Sequence, residues 1–178
     1  DAGQRYVNTL FHLLRCHTDL GEFDEAKALI EDIRSLQGKK AFKSVDIAVR
    51  IVSNTYNQEL VLLHSLGDFQ GSVDLIPTIE DLQHTYDGKI SKEMEVLLTY
   101  NKAYSHFGVG DYKKALHYLN EVLNDNEQNL RRDIYSFSRL FNIVIHYELE
   151  NYDFLEYVVK STNRYLSKQD RDYQIENV

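Results

Sequence analysis

The chain is 178 residues long, enough for one domain with a core of its own. Its formal net charge of −8 argues against a binder of phosphate backbones, which needs a basic stripe, and against docking on an anionic membrane. No apolar run reaches the roughly 18 residues of a membrane span, and no signal peptide opens the sequence. The single cysteine, Cys16, leaves no intrachain disulfide and fits a reducing, cytoplasmic setting. The first residue is Asp1 rather than Met, so we read the sequence as an excised fragment or a processed form, with a lost leader left open.

One proline and eight glycines in so long a chain favour helix. A first helix at about 4–20 carries Leu10, Leu13, Leu14 and His17 at helical spacing. Leu20-Gly21-Glu22-Phe23 ends it, because a glycine just past a helix takes the left-handed conformation that terminates it. A second helix at about 22–37 places Ala26, Leu29, Ile30 and Ile33 on one face, and Gly38-Lys39-Lys40 is a loop. The third and fourth helices, about 42–66 and 68–86, meet at Leu66-Gly67-Asp68-Phe69. Pro77 inside the fourth is expected to kink or break it. After the loop Asp87-Gly88-Lys89, helices at about 91–108 and 111–125 meet at Val109-Gly110-Asp111-Tyr112. The last two, about 128–149 and 151–168, meet at Leu149-Glu150-Asn151-Tyr152, and a polar tail from about 169 is expected to fray. No alternating run predicts a strand.

The four meeting points are one string written four times: apolar, Gly (Glu in the last), acid or amide, aromatic. Counted from Gly21, the steps are 46, 43 and 40 residues, a period that indicates a solenoid. Asp68, Asp111 and Asn151 are good N-caps for the following helix, and each string reads as the tight turn of a helical hairpin. The prediction is one all-α domain over 1–168, an α-α superhelix of about four hairpins.

The third hairpin carries Ala103, then Gly110-Asp111-Tyr112, then Ala115, and it resembles a tetratricopeptide repeat in its two small residues and its turn. The first hairpin resembles it through Gly21, Phe23 and Ala26, and the second through Gly67, Asp68 and Phe69 with Ser72 as the small residue. The fourth departs, with Glu150 for Gly and Leu155 for Ala. The repeats are also longer than the family's roughly 34 residues, and they lack its Trp and its closing Pro. The stretch from Ser138 to Leu149, followed by Asn151-Tyr152-Asp153, is similar to helical-repeat proteins of the Bacteroidota that have no assigned function.

The resemblance implies a non-catalytic scaffold that holds a protein or peptide segment on a concave face lined by the first helix of each hairpin. By register that lining is Asn8, Phe11, Arg15, Asn54, Asn57, Val61, Tyr100, Tyr104, Phe107 and Tyr147, with Leu140 and Val144 beside the last. Asn amides can bond a peptide backbone, and Tyr and Phe are anchors of the hot-spot type. Only Arg15 in this set is basic, which counts against capture of a terminal carboxylate by several cations. A regulatory domain that senses a peptide, or self-association through the terminal hairpins, are the competing expectations.

No chemistry is framed by local motifs. His12 and Cys16 share a helical face, but one pair falls short of the four ligands of a zinc site, so the thiol is expected to be buried and inert. His17, His106 and His146 each stand four residues before the second residue of a turn string, and equivalent positions in a solenoid do one packing job. No Gly-x-Ser-x-Gly, His-Glu-x-x-His or phosphate loop is present, so no catalytic residue, metal or cofactor is expected. The basic pairs Arg131-Arg132 and Lys39-Lys40 make no nucleic-acid track.

Overall fold

Every hairpin closes on the same corner. In the computed structural model, which describes residues 2–127 and 130–168, Gly21, Gly67 and Gly110 have φ of 76°, 72° and 78°, and Glu150 follows them at 58°. The residue after each donates its backbone N–H to the carbonyl five positions back: Glu22 to His17, Asp68 to Leu63, Asp111 to His106 and Asn151 to His146, at 2.9–3.0 Å. A second bond, from the left-handed residue to the carbonyl three back, completes the Schellman motif in each case. Glu22, Asp68 and Asp111 then start the next helix from nearly one backbone conformation, with φ −83° and ψ 66–68°. The Oδ1 atoms of Asp68 and Asp111 accept from the amides of Gly71 (2.9 Å) and Lys114 (3.2 Å), satisfying donors that the first turn leaves unpaired.

Glu150 holds the left-handed conformation without being glycine, at a cost of about 1 kcal/mol. Glu150→Gly is therefore expected to stabilise the chain by roughly that amount, read as a higher urea midpoint with an unchanged slope.

These corners join eight helices among the described residues: α1 (Ala2–Leu20), α2 (Phe23–Arg34), α3 (Val45–Ser65), α4 (Phe69–Thr85), α5 (Lys92–Gly108), α6 (Tyr112–Leu123), α7 (Arg132–Glu148) and α8 (Tyr152–Lys168). No strand occurs among the described residues. Each helix packs on the next, and α1 on α3, α3 on α5 and α5 on α7, so the fold is an all-α solenoid of four hairpins. The core is accordingly a series of small clusters. Val7, Leu14, Ile30, Ile33 and Ile51 fill the space among α1, α2 and α3. Leu60, Ile79 and Leu98 join α3, α4 and α5. Ala103, Ala115, Leu119 and Ile145 join α5, α6 and α7. The small residues Ala26, Ser72, Ala103 and Ala115 are all fully buried, which lets the two helices of each of the first three hairpins approach closely.

Three boundaries differ from expectation. Residues 35–44 do not extend the helices on either side. Lys40–Phe42 is a short 3-10 turn that buries Phe42, and Ser44 starts α3 by accepting from the Ile47 amide at 3.4 Å. α7 begins at Arg132 rather than near 128. α4 runs through Pro77 without a break: Pro77 faces solvent while Ile76 and Ile79 are buried, so core packing outweighs one lost backbone bond. The tail expected from 169 lies outside the described residues.

At the end of α5 one close approach is decisive. A Cβ on Gly108 would stand 2.0 Å from Cδ1 and 2.2 Å from Cγ of Phe69. Only a glycine there lets the Phe69 ring pack against both His64 (centroids 5.8 Å) and Tyr104 (5.9 Å).

A candidate partner-binding face

The first helices of the hairpins stand side by side, and equivalent positions form rows across them. Asn8, Asn54, Leu97 and Phe137 make one row, and Arg15, Val61, Tyr104 and Val144 another. At the α1–α3 end, Asn8, Phe11, Arg15 and Asn54 come together, lining a cleft of about 230 Å³ with Arg50 and Gln58. Asn54 Nδ2 donates to the Arg50 carbonyl at 2.9 Å, which fixes its amide along the helix. A second cleft of about 450 Å³ shares Arg50 and Asn54 and extends to Lys89, Asp46 and Met94 between α3 and α5.

Sequence reasoning missed the charge of this end. Arg50 and Lys89 join Arg15 at the clefts, so three cations gather here on a chain of net charge −8. Arg50 precedes Asn54 by one helical turn, a spacing visible in the sequence. With the Gln4 amide oxygen turned toward it, Arg50 donates through Nε (3.0 Å) and Nη1 (2.8 Å), which braces the guanidinium.

The other end is aromatic. Tyr104 contacts Phe141 (centroids 5.8 Å), and Phe141 also meets Tyr100 (6.1 Å) and Phe107 (5.1 Å). Tyr100 is largely buried, and burial, with Tyr104 beside it, pushes its hydroxyl up to about 12. Phe107 packs inward on Tyr112 and Phe141, so Tyr100 and Phe107 support the face more than they present it. What reaches solvent is Tyr104 (39% exposed), Phe137 (49%), Val144 (44%) and Tyr147 (59%). Phe137 was not in the expected set, although it occupies the row of Asn8 and Asn54. Leu140 and Val61 are half-buried.

Asn57 is a correction. It was expected to meet a peptide, but it is only 4% exposed, and its Oδ1 accepts from Asn101 Nδ2 at 2.8 Å across the α3–α5 interface. One turn further along, Ser105 Oγ donates to the Asn101 carbonyl (2.9 Å) and accepts from His64 Nε2 (2.8 Å). The amides of this stretch therefore join two hairpins instead of facing a partner.

The histidine register has a reason beyond packing. His17 Nδ1 donates to Glu22 Oε2 at 2.6 Å, and His146 Nδ1 accepts from Asn151 Nδ2 at 3.1 Å, each ring reaching the residue that its own carbonyl binds in the corner. His106 Nδ1 stands 3.8 Å from Asp111 Oδ2 while its ring stacks on Tyr118. Burial lowers the pKa of both His106 and His146. Cys16 corrects the expectation of a buried thiol: it is exposed, beside an exposed His12. Among the described residues no three His, Cys, Asp or Glu converge as a metal site would need, and no helix is long and apolar enough to cross a membrane.

No family model, no curated protein and no solved structure matches this chain.

Proposed function

We propose that the chain is a non-catalytic scaffold that holds a protein or peptide segment on the face formed by α1, α3, α5 and α7, in the manner of the tetratricopeptide repeats that its sequence resembles. The observation that carries this reading is the exposed apolar stripe Tyr104, Phe137, Val144 and Tyr147, which lies in register with the clefts bearing Arg15, Arg50 and Lys89. A segment with apolar side chains at one end and carboxylates at the other complements it. Apolar anchors give affinity on such a face, and the charges set orientation and on-rate. Four corners of one conformation and four buried small residues support the repeat likeness.

The test is selection from a displayed peptide library, followed by titration of the selected peptides. Tyr104→Ala plus Tyr147→Ala is expected to weaken them about tenfold or more, roughly 1.4 kcal/mol, with the helical circular dichroism unchanged. Arg50→Glu is expected to slow association and to weaken its salt dependence. Selected peptides that bind all variants equally would place the site elsewhere.

Self-association has an observation of its own. Tyr147, Tyr152, Phe154 and Tyr157 at the last hairpin are 47–65% exposed. Light scattering against concentration distinguishes it: a dimer that Tyr152→Ser plus Tyr157→Ser returns to monomer would favour this reading.

A further inference from the structure

Each internal junction of the solenoid is made in one way: the first helix of a hairpin lies in the notch between the two helices of the hairpin before it. In α7 the residues turned into that notch are Ile134, Ser138, Phe141 and Ile145, all buried except the half-buried Phe141. The same register positions of α3 and α5 are also buried or half-buried. In α1 they are Arg5, Thr9, His12 and Cys16, and all four are exposed. The outer face of α1 is therefore a polar cap, which is what the end of a solenoid needs.

The other end has no such cap. The residues of the third hairpin that hold α7 have equivalents 40 positions on, in α7 and α8 themselves. Val144 stands for Tyr104, Tyr147 for Phe107, Tyr152 for Tyr112 and Val159 for Leu119. Even the ring pair is repeated: Phe107 and Tyr112 have centroids 5.2 Å apart, and Tyr147 and Tyr152 have them 6.1 Å apart. Phe141 of α7 covers the first pair, with its centroid 5.1 Å from that of Phe107. Among the described residues nothing covers the second, and both of its tyrosines are exposed. Leu119 is fully buried under α7, whereas Val159 is 37% exposed. A contiguous apolar surface of this kind marks an interaction site.

We propose that the notch between α7 and α8 seats one α-helix of a partner protein, with bulky apolar residues at i, i+7 and i+11 and a small one at i+4. The notches already filled define this occupant. The second presents Asn57 and His64, and it takes the polar Asn101 and Ser105. The third is apolar and takes α7, whose Ile134, Ser138, Phe141 and Ile145 have the stated spacing. The fourth has Leu140 and Tyr147 in the register of Asn57 and His64, so it is apolar like the third and calls for a helix of the α7 kind. An extended segment sends alternate side chains to opposite sides and cannot put i, i+4, i+7 and i+11 on one face. A second copy offering its α1 would bring Arg5 and His12 into the notch, so copies do not stack head to tail. The inference rests on the scaffold reading above and gives it a further site, because Tyr152 and Val159 on α8 lie outside the concave face.

The probe is a synthetic helix of about 18 residues on an Ala/Glu/Lys background, long enough to hold its structure in water. It carries Ile, Ala, Phe and Ile at i, i+4, i+7 and i+11, and its control has the same composition with those residues spread around the helix. Titration of each into the whole chain, followed by fluorescence anisotropy, is expected to show saturable binding of the probe about tenfold or more tighter than the control. Val159→Asp, and separately Tyr152→Ala, are expected to weaken the probe about tenfold or more with the helical circular dichroism of the chain unchanged, since both positions are exposed. Tyr104→Ala is expected to leave its affinity unchanged. No binding of the probe, or equal binding of the control, would overturn the inference. A probe released by Tyr104→Ala but not by Val159→Asp would also overturn it, placing the helix on the concave face and leaving the scaffold reading intact. Light scattering that finds a dimer returned to monomer by Val159→Asp would overturn it in favour of a second copy in the notch.

Discussion

Lowering the pH from 7 to 4 is expected to remove about 3 kcal/mol of stability through one side chain, His64. Its imidazole titrates at about 4 instead of 6.5, because burial penalises the charged form. A folded pKa below the unfolded one means that the unfolded chain binds more protons throughout this window. Stability is therefore fully present above pH 6.5 and is lost progressively as pH falls toward 4, about 1.4 kcal/mol per unit. The geometry gives the same sign. His64 Nε2 already donates to Ser105 Oγ, and the ring packs against Phe69 and Tyr104, so a second proton would be a buried charge with no carboxylate to pair it. His64→Gln keeps a donor near Ser105 without titrating. Urea unfolding at pH 7.5, 6, 5 and 4 is expected to show the wild type falling more steeply than the variant. His106 and His146 shift in the same direction and act in both proteins, so the difference between the two curves belongs to His64. Parallel curves would show that His64 is not the source.

Gly108→Ala is expected to destabilise the chain by about 2 kcal/mol, a large effect for one methyl group. In a helix the same change would ordinarily stabilise by up to about 1 kcal/mol. The sign reverses because the new Cβ meets Phe69 at 2.0 Å, and that ring has His64 and Tyr104 around it and little room to retreat. A double-mutant cycle checks the cause. In a Phe69→Leu background the Gly108→Ala penalty is expected to fall below half, a coupling of more than about 1 kcal/mol. If the penalty is the same in both backgrounds, the contact between α4 and α5 is not what the glycine protects.

The hairpins were legible because their corners are chemical: Gly21, Gly67 and Gly110 are the residues that take positive φ at no steric cost. Glu150 fits the series only by register, since nothing in its own chemistry announces a left-handed residue. The interhelix loop at 35–44 was harder, because Phe42 is an apolar residue in helical phase with α3, and only Ser44 marks where that helix begins. At the candidate face, register grouped Asn8, Phe11, Arg15 and Asn54, and these four line one cleft. It failed at Asn57, because which of two neighbouring helices buries an amide depends on what the other offers, and Asn101 lies 44 residues away. Arg50 escaped because the expected lining was carried over by register alone, and Arg50 stands outside those rows.

The buried link from Asn57 and His64 to Asn101 and Ser105 has a consequence for how such a chain can evolve. Its neighbours are built differently. By register Phe11 and Thr18 stand in α1 where α3 has Asn57 and His64, and Phe141 and Ile145 stand in α7 where α5 has Asn101 and Ser105. Each junction between hairpins therefore accepts one neighbour only. Excising the second hairpin by recombination would set Phe11 against Asn101 and leave that amide buried and unbonded, a loss of about 1–3 kcal/mol. Although the corners repeat, the units are not interchangeable, and genetic shuffling that adds or drops one of them would be selected against at this joint before any partner is involved.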